Sequence, residues 1–315
     1  MRRARRLLRP LGRALRGPCA GALDLALRAS GRKRAAVLVY HRVGDPPGDP
    51  DVELVPALGS VLFAAQLRLL CRRYRIVPAA ELLDAALARR RFGRFPVAIT
   101  FDDDWPGHKT VTAPLLAAAG APATFFLNGA PAAFWFELLQ AAYDCGLLAP
   151  PAAIHEHAAR IQAMPAEQRA REAQALRDRL GEPPRGAVPA DDVRALAREG
   201  HEIGFHTRDH ETLTTVRGEA LDAALRNGRE QLEQAAGAKI DAIAYPGGAV
   251  DAEVLARVRA AGFARGYTTR AEPLAAGVDP LAVGRVYPAH DTAGRLFMSL
   301  ARTLARAPQT GVATR

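Results

Sequence analysis

The chain has 315 residues, 49% of them hydrophobic and 24% charged, a balance that excludes intrinsic disorder and leaves enough apolar surface for a sizeable core. Its net charge of +10 is unevenly placed. Residues 1–34 carry ten Arg, one Lys and one Asp, and the remaining 281 residues carry 32 basic and 32 acidic side chains, so the body is neutral and a nucleic-acid binder is excluded as the first reading.

The first segment, MRRARRLLRPLGRALRGP, sets Leu7, Leu8, Leu11 and Leu15 on one helical face with Arg on the other. A basic amphipathic helix of this kind rests on an anionic membrane surface. Pro10 interrupts it, and a solvated leader is the competing reading. No apolar h-region marks a secretory signal and no run approaches the ~20 apolar residues of a membrane span. Cys19, Cys71 and Cys145 are odd in number and far apart, which argues against a disulfide framework and fits a reducing compartment. The expectation is a cytoplasmic protein whose tail, residues 1–34, touches the inner membrane surface peripherally.

Short apolar runs then alternate with helical ones. Strands are expected at residues 37–41, 97–102, 123–127, 202–206, 240–245 and 264–268. Helices are expected at 63–74, 79–90, 108–119, 191–198, 220–236 and 251–261. This βα alternation predicts parallel strands, in a barrel or a doubly wound sheet. Residues 131–190 break the rhythm with an Ala-, Arg- and Gln-rich stretch opened by Phe134, Trp135 and Phe136. It is too long for a loop and is read as a helical insertion within a domain spanning 35–300, followed by a tail at 301–315. The aromatic triplet is expected to form the core of that insertion, with a sugar-stacking groove as the alternative.

Three motifs carry chemistry. VAITFDDD ends an apolar strand in Asp102, Asp103 and Asp104, at the strand end where α/β barrels place their active sites. Alternation along a strand gives these acids different roles. In GHEIGFHTRDH, His206 and His210 are four apart, and a helical turn from Thr207 would put both imidazoles on one face. Two His and one carboxylate make a facial metal site with open positions. Such a metal polarises a carbonyl and lowers the pKa of its bound water to ~7, and a second carboxylate can take that water's proton. In AYPGG, a Pro-Gly-Gly turn ends a strand and bares backbone N–H groups that could face an oxyanion.

Together, TFDD at 100–103, HTRDH at 206–210 and YPGG at 245–248 resemble, in type and order, the polysaccharide deacetylases, the NodB-homology group also called carbohydrate esterase family 4. VLVYHRV at 37–43 resembles the opening of a subgroup. The resemblance implies an α/β fold, a distorted and incomplete (β/α) barrel of the TIM type. It implies that Asp103, His206 and His210 ligate a divalent metal, usually Zn2+, that Asp102 is the general base, and that the N–H of Gly247 faces the oxyanion. The expected activity is hydrolysis of an N-acetyl group on an amino sugar of a polysaccharide or lipid-linked glycan. A deformylase or small-amide hydrolase, and a non-catalytic glycan-binding homologue, are the alternatives. Three departures stand out, the first being Asp104 where the family often has a glycine after TFDD. The arginine that the family places two residues before the proline, where it orients the base, is Ala244. The late Leu-x-His that supplies the general acid has no clear counterpart, and His41 and His290 are the candidates.

Overall fold

The computed structural model describes residues 20–130, 133–181 and 188–309. Its centre is an eight-stranded sheet: β1 Arg34–Tyr40, β2 Arg75–Ile76, β3 Pro96–Asp102, β4 Thr124–Leu127, β5 Glu202–Phe205, β6 Ala242–Ala244, β7 Arg265–Tyr267 and β8 Leu274–Ala275. The order is β7-β6-β5-β4-β3-β1-β8, with β2 beside the first residues of β3. Every pairing is parallel except β1 with β8. All seven residues of β3 and six of seven in β1 are buried, as expected of parallel strands covered on both faces.

The sheet curls until its two sides meet through an irregular segment. Val283 bridges Tyr267 on β7 and Val286 bridges Leu38 on β1. Hydrogen bonds from Thr268 N to Val283 O (2.8 Å) and from Val286 N to Val37 O (2.8 Å) hold both sides. This is the distorted, incomplete barrel that the sequence implies.

Alternation sorts the strand residues. Leu38, Val97, Ile99, Phe125, Leu127 and Ile243 pack toward the surrounding helices. Val37, Ala98, Phe126, Ala242, Ala244 and Tyr267 form a second cluster on the inward face. Thr100 and Asp102 share the parity of Ala98, and His41 that of Val37, so these side chains belong to the inward face. Gly204 on β5 is required there, because an added Cβ would sit 2.3 Å from the Phe126 ring.

The helices are α1 (residues 20–29), α2 Ser60–Arg73, α3 Leu82–Ala88, α4 Ala113–Ala119, α5 Trp135–Asp144, α6 Ile154–Gln162, α7 Ala166–Leu180, α8 Ala190–Arg198, α9 Gly218–Arg226, α10 Arg229–Ala236, α11 Ala252–Ala260 and α12 Ala293–Ala305. Helices α5 to α7 lie between β4 and β5 and build a core of their own from Leu138, Leu139, Ile154, Ile161 and Leu176.

Four expectations need correction. The segment 1–34 is not all tail: α1 buries Ala20, Asp24 and Leu27 against the body, because its apolar residues recur at helical spacing; residues 1–19, with the proposed amphipathic face, lie outside the described residues. The C-terminal tail does not begin at 301, since α12 runs to Ala305 and buries Ala301 and Leu304. The helix expected over 220–236 is two helices, broken where Gly228 adopts φ 86°. The segment 108–119 opens as a π-helical turn, His108–Thr112, before α4.

Candidate active site

The cluster forms at the carboxyl ends of β1, β3, β5 and β6. Asp103 follows β3, and His206 and His210 follow β5. Their ligand atoms lie within 4.8 Å of one another. Asp103 Oδ1 is 3.6 Å from His206 Nε2 and 3.5 Å from His210 Nε2. Ligand distances of ~2.0–2.2 Å in a tetrahedral zinc site give edges of about 3.4 Å, so the spacing fits such an ion. Asp103 Oδ1 is also buried without a hydrogen-bond partner, a costly state for a carboxylate unless a cation completes it.

The two imidazoles converge by a different route from the one expected. Residues 206–210 are not helical. Thr207 (φ 53°) and His210 (φ 49°) adopt left-handed conformations, as does Asp103 (φ 72°). Such residues cost roughly 1–3 kcal/mol each and persist only where their surroundings hold them. Here the hold is a relay of hydrogen bonds. Asp104 accepts from Asn128 N (3.0 Å) and Ala130 N (3.2 Å). Asn128 Nδ2 in turn donates to His206 O (2.9 Å) and Thr207 O (2.8 Å). The third acid of TFDDD thus fixes the turn that carries the histidines. His206 Nδ1 lies 2.8 Å from Ala244 O; a carbonyl only accepts, so Nδ1 carries the proton and Nε2 is free toward the cluster. Burial pushes His210 down to about 4, which keeps it neutral and ligand-ready at pH 7. Burial alone would raise Asp103, but His210 and His206 outweigh it and lower it.

Asp102 is 2% exposed and its Oδ2 is 4.0 Å from His206 Nε2. Its partner is Arg285, which sequence reading missed. Arg285 is fully buried and makes a two-pronged contact, Nη1 to Oδ1 at 2.6 Å and Nη2 to Oδ2 at 2.7 Å. Its Nε donates to Thr268 O (3.0 Å) and its Nη1 also reaches Thr100 Oγ1 (3.2 Å). Burial would raise Asp102, but Arg285 and then His206 more than offset it, holding the carboxyl at about 2. Arg285 therefore supplies Asp102 with a guanidinium that Ala244 cannot. The available signal was a single charge inside an apolar run, LAVGRVYP.

Asp102, Asp103, His206 and His210 line a cavity of about 230 Å³ with His41, Tyr245, Gly247 and Tyr287. His41 stacks on Tyr287 (ring centroids 6.0 Å apart) and faces the cluster. His290 does not; it lines a neighbouring cavity that shares His41 and Tyr287. Gly247 sits in the turn after β6 with φ 69°. The roof has two parts. Leu54 and Val55 come from the loop after β1, and Trp135, Phe136 and Ala158 come from the insertion. Gln140 on α5 ties them together by accepting from Leu54 N (2.9 Å) and donating to Val52 O (3.2 Å). Phe134 and Phe136 are buried and pack on the His210 ring at 5.2 and 5.0 Å, while half-buried Trp135 reaches the cavity. The aromatic triplet is thus divided between core and cavity wall.

Carboxylates and imidazoles gathered at the carboxyl ends of a parallel barrel's strands mark the active site of a barrel enzyme. A family model described as polysaccharide deacetylase matches residues 89–266, more than half of the chain, and the chain belongs to that family. It is accordingly a hydrolase that deacetylates carbohydrate. No curated protein sequence matches it. Among solved structures, it is similar to the Streptococcus pyogenes deacetylase PplD in complex with acetate, at TM-score 0.61 and 15% identity over 85% of this chain and 98% of that one. It is also similar to IcaB from Ammonifex degensii, at TM-score 0.57 and 20% identity over 85% and 97%. At these identities the likeness shows the fold.

Proposed function

We propose that the protein removes an N-acetyl group from an amino sugar of a polysaccharide or lipid-linked glycan, using a divalent metal held by Asp103, His206 and His210. The observation that carries this reading is the unpartnered, buried Asp103 Oδ1 set 3.5 and 3.6 Å from two Nε2 atoms. Zinc suits the nitrogen-rich donor set and its spacing. Bound there, it would supply Lewis acidity toward the acetyl carbonyl and the attacking water.

The chain's own groups do the rest. Asp102, ionised at neutral pH and held by Arg285, takes the water proton on Oδ2, the oxygen nearer the cluster. Hydroxide adds to the acetyl carbon, and the backbone N–H of Gly247 stabilises the oxyanion. His41, in the cavity wall against Tyr287, gives its proton to the leaving nitrogen as the C–N bond breaks, so acetate and a free amine result. The roof residues exclude water from this exchange.

The test is release of free amine by metal-loaded protein from a panel of N-acylated saccharides. N-acetylated substrates should react and N-formyl or small amides should not. Asp102→Asn should keep its metal and lose turnover, while Ala at Asp103, His206 or His210 should lower metal content. An Asp102→Asn protein that turns over normally removes the base assignment.

A further inference from the structure

The barrel end opposite the catalytic cavity has a charge pattern that the neutral body as a whole conceals. Three segments meet there: α1 with the turn into β1, the end of α2 with β2, and the loop from α3 into β3. Residues 20–34, 68–75 and 88–95 hold twelve basic side chains and one acid, Asp24, which is buried and paired with Arg28 at 2.8 Å. The segments are bonded to one another. Phe92 N donates to Arg28 O (2.9 Å), Arg91 Nε to Ala29 O (2.7 Å) and Arg94 Nη1 to Cys71 O (2.9 Å). Those guanidiniums satisfy helix-end carbonyls and keep their positive charge. Arg32, Lys33, Arg75 and Arg90 are exposed around them.

Apolar groups are exposed on the same end. Of the five large hydrophobic side chains exposed among the described residues, three are here: Leu25 (62%), Leu87 (42%) and Phe92 (60%). Phe92 also has φ 64°, a strained conformation that its exposed ring does not offset by packing. Leu25 lies on the outer face of α1, one turn before Arg28.

We propose that this end of the barrel is a docking surface for an anionic lipid bilayer. Cationic side chains surrounding a few protruding apolar ones suit the headgroup layer, where the charges meet anionic lipid and the apolar tips enter the acyl boundary. Nucleic acid would satisfy the charges and leave Leu25 and Leu87 in water. β1 runs from Arg34 on this face to Tyr40 beside His41, about 20 Å at strand rise. A docked molecule therefore turns its catalytic cavity away from the lipid, toward glycan presented from the aqueous side.

The test is co-sedimentation of the full chain with phosphatidylcholine vesicles, with and without phosphatidylglycerol, over a salt series. The wild type should pellet only with phosphatidylglycerol present and be released by salt. Arg75→Glu with Arg90→Glu should lower partitioning at least tenfold. Phe92→Gly relieves the strained conformation, so it should fold normally yet bind several-fold more weakly. Arg171→Glu with Arg179→Glu, an equal charge change on α7, should bind like the wild type. The proposal is overturned if the face variants bind like the wild type, as they would if residues 1–19 alone carried the attraction, or if the α7 control loses as much. It is equally overturned if a DNA duplex outcompetes the vesicles and Phe92→Gly binds that duplex unchanged.

Discussion

Replacing Arg285 with Met isolates the most deeply buried charge pair of the site. The wild-type guanidinium makes four contacts, two of them to Asp102 at 2.6 and 2.7 Å, with Asp102 itself 2% exposed. Removing one member of a buried pair leaves the other charge uncompensated and costs about 3–5 kcal/mol. In a protein of this size that lowers Tm by roughly 10 °C. The pH profile should change with it. Asp102 sits at about 2 in the folded protein against an ordinary 3.8. Its folded value is depressed, so it contributes about 2 kcal/mol above pH ~4, lost as pH falls toward 2. Without Arg285, burial drives the carboxyl above its ordinary value and this acid-side loss disappears. Activity should fall about a hundredfold or more, since the base is no longer held and aimed. Metal content should hold, because Arg285 touches none of the three ligand side chains. Urea unfolding of Arg285→Met, Asp102→Asn and the double variant forms a cycle. The double variant should be at least about 2 kcal/mol more stable than the sum of the single losses implies, and it should remain inactive. A single-variant cost below about 1 kcal/mol, or strict additivity, would falsify the pairing argument.

His41→Gln should lower kcat by about 10²–10³-fold, most for substrates with strongly basic leaving amines, while His290→Gln stays near the wild type; equal effects would show that the acid is neither. Trp135→Ala should raise KM with a small change in Tm, whereas Phe134→Ala, which empties a buried site against His210, should cost about 3–5 kcal/mol and weaken metal retention. Stability measurements on both variants, set against substrate titrations, separate wall from core. Burial holds His108 at about 4, below its ordinary 6.5. The unfolded chain thus takes up a proton first, and stability should fall by about 3 kcal/mol as pH drops from 6.5 to 4. His108→Gln should flatten that slope in denaturant titrations at several pH values, and an unchanged slope would remove His108 as its source.

The six longer strands were legible because β1, β3, β4 and β6 are mainly apolar runs ending at turn chemistry, and β5 and β7 sit in the same strand–helix rhythm although they open on Glu202 and Arg265. β2 and β8 were not, since two residues carry no periodicity. α1 was hidden by its charge: Ala20, Leu23 and Leu27 keep helical spacing, but the Arg-rich surroundings read as a solvated tail. Asp102, Asp103, His206 and His210 could be picked out because strand ends and His spacing are local signals. How the histidines converge was not legible, because Asn128 and Asp104 act across 78 and 24 residues. Arg285 lies 183 residues from Asp102, and nothing near either residue announces the other. Phe134 and Trp135 show a further limit, since adjacent aromatics took different fates, the first buried against His210 and the second half-buried at the cavity wall.

The segment that stitches β7 to β1 is also the one that delivers Arg285. The candidate ligands and the counter-charge of Asp102 are therefore far apart along the chain. The three candidate ligands fall between residues 103 and 210, but the counter-charge of the base arrives only at residue 285, with the last closure of the barrel. A chain emerging from the ribosome would acquire its ion-binding residues well before it could hydrolyse anything.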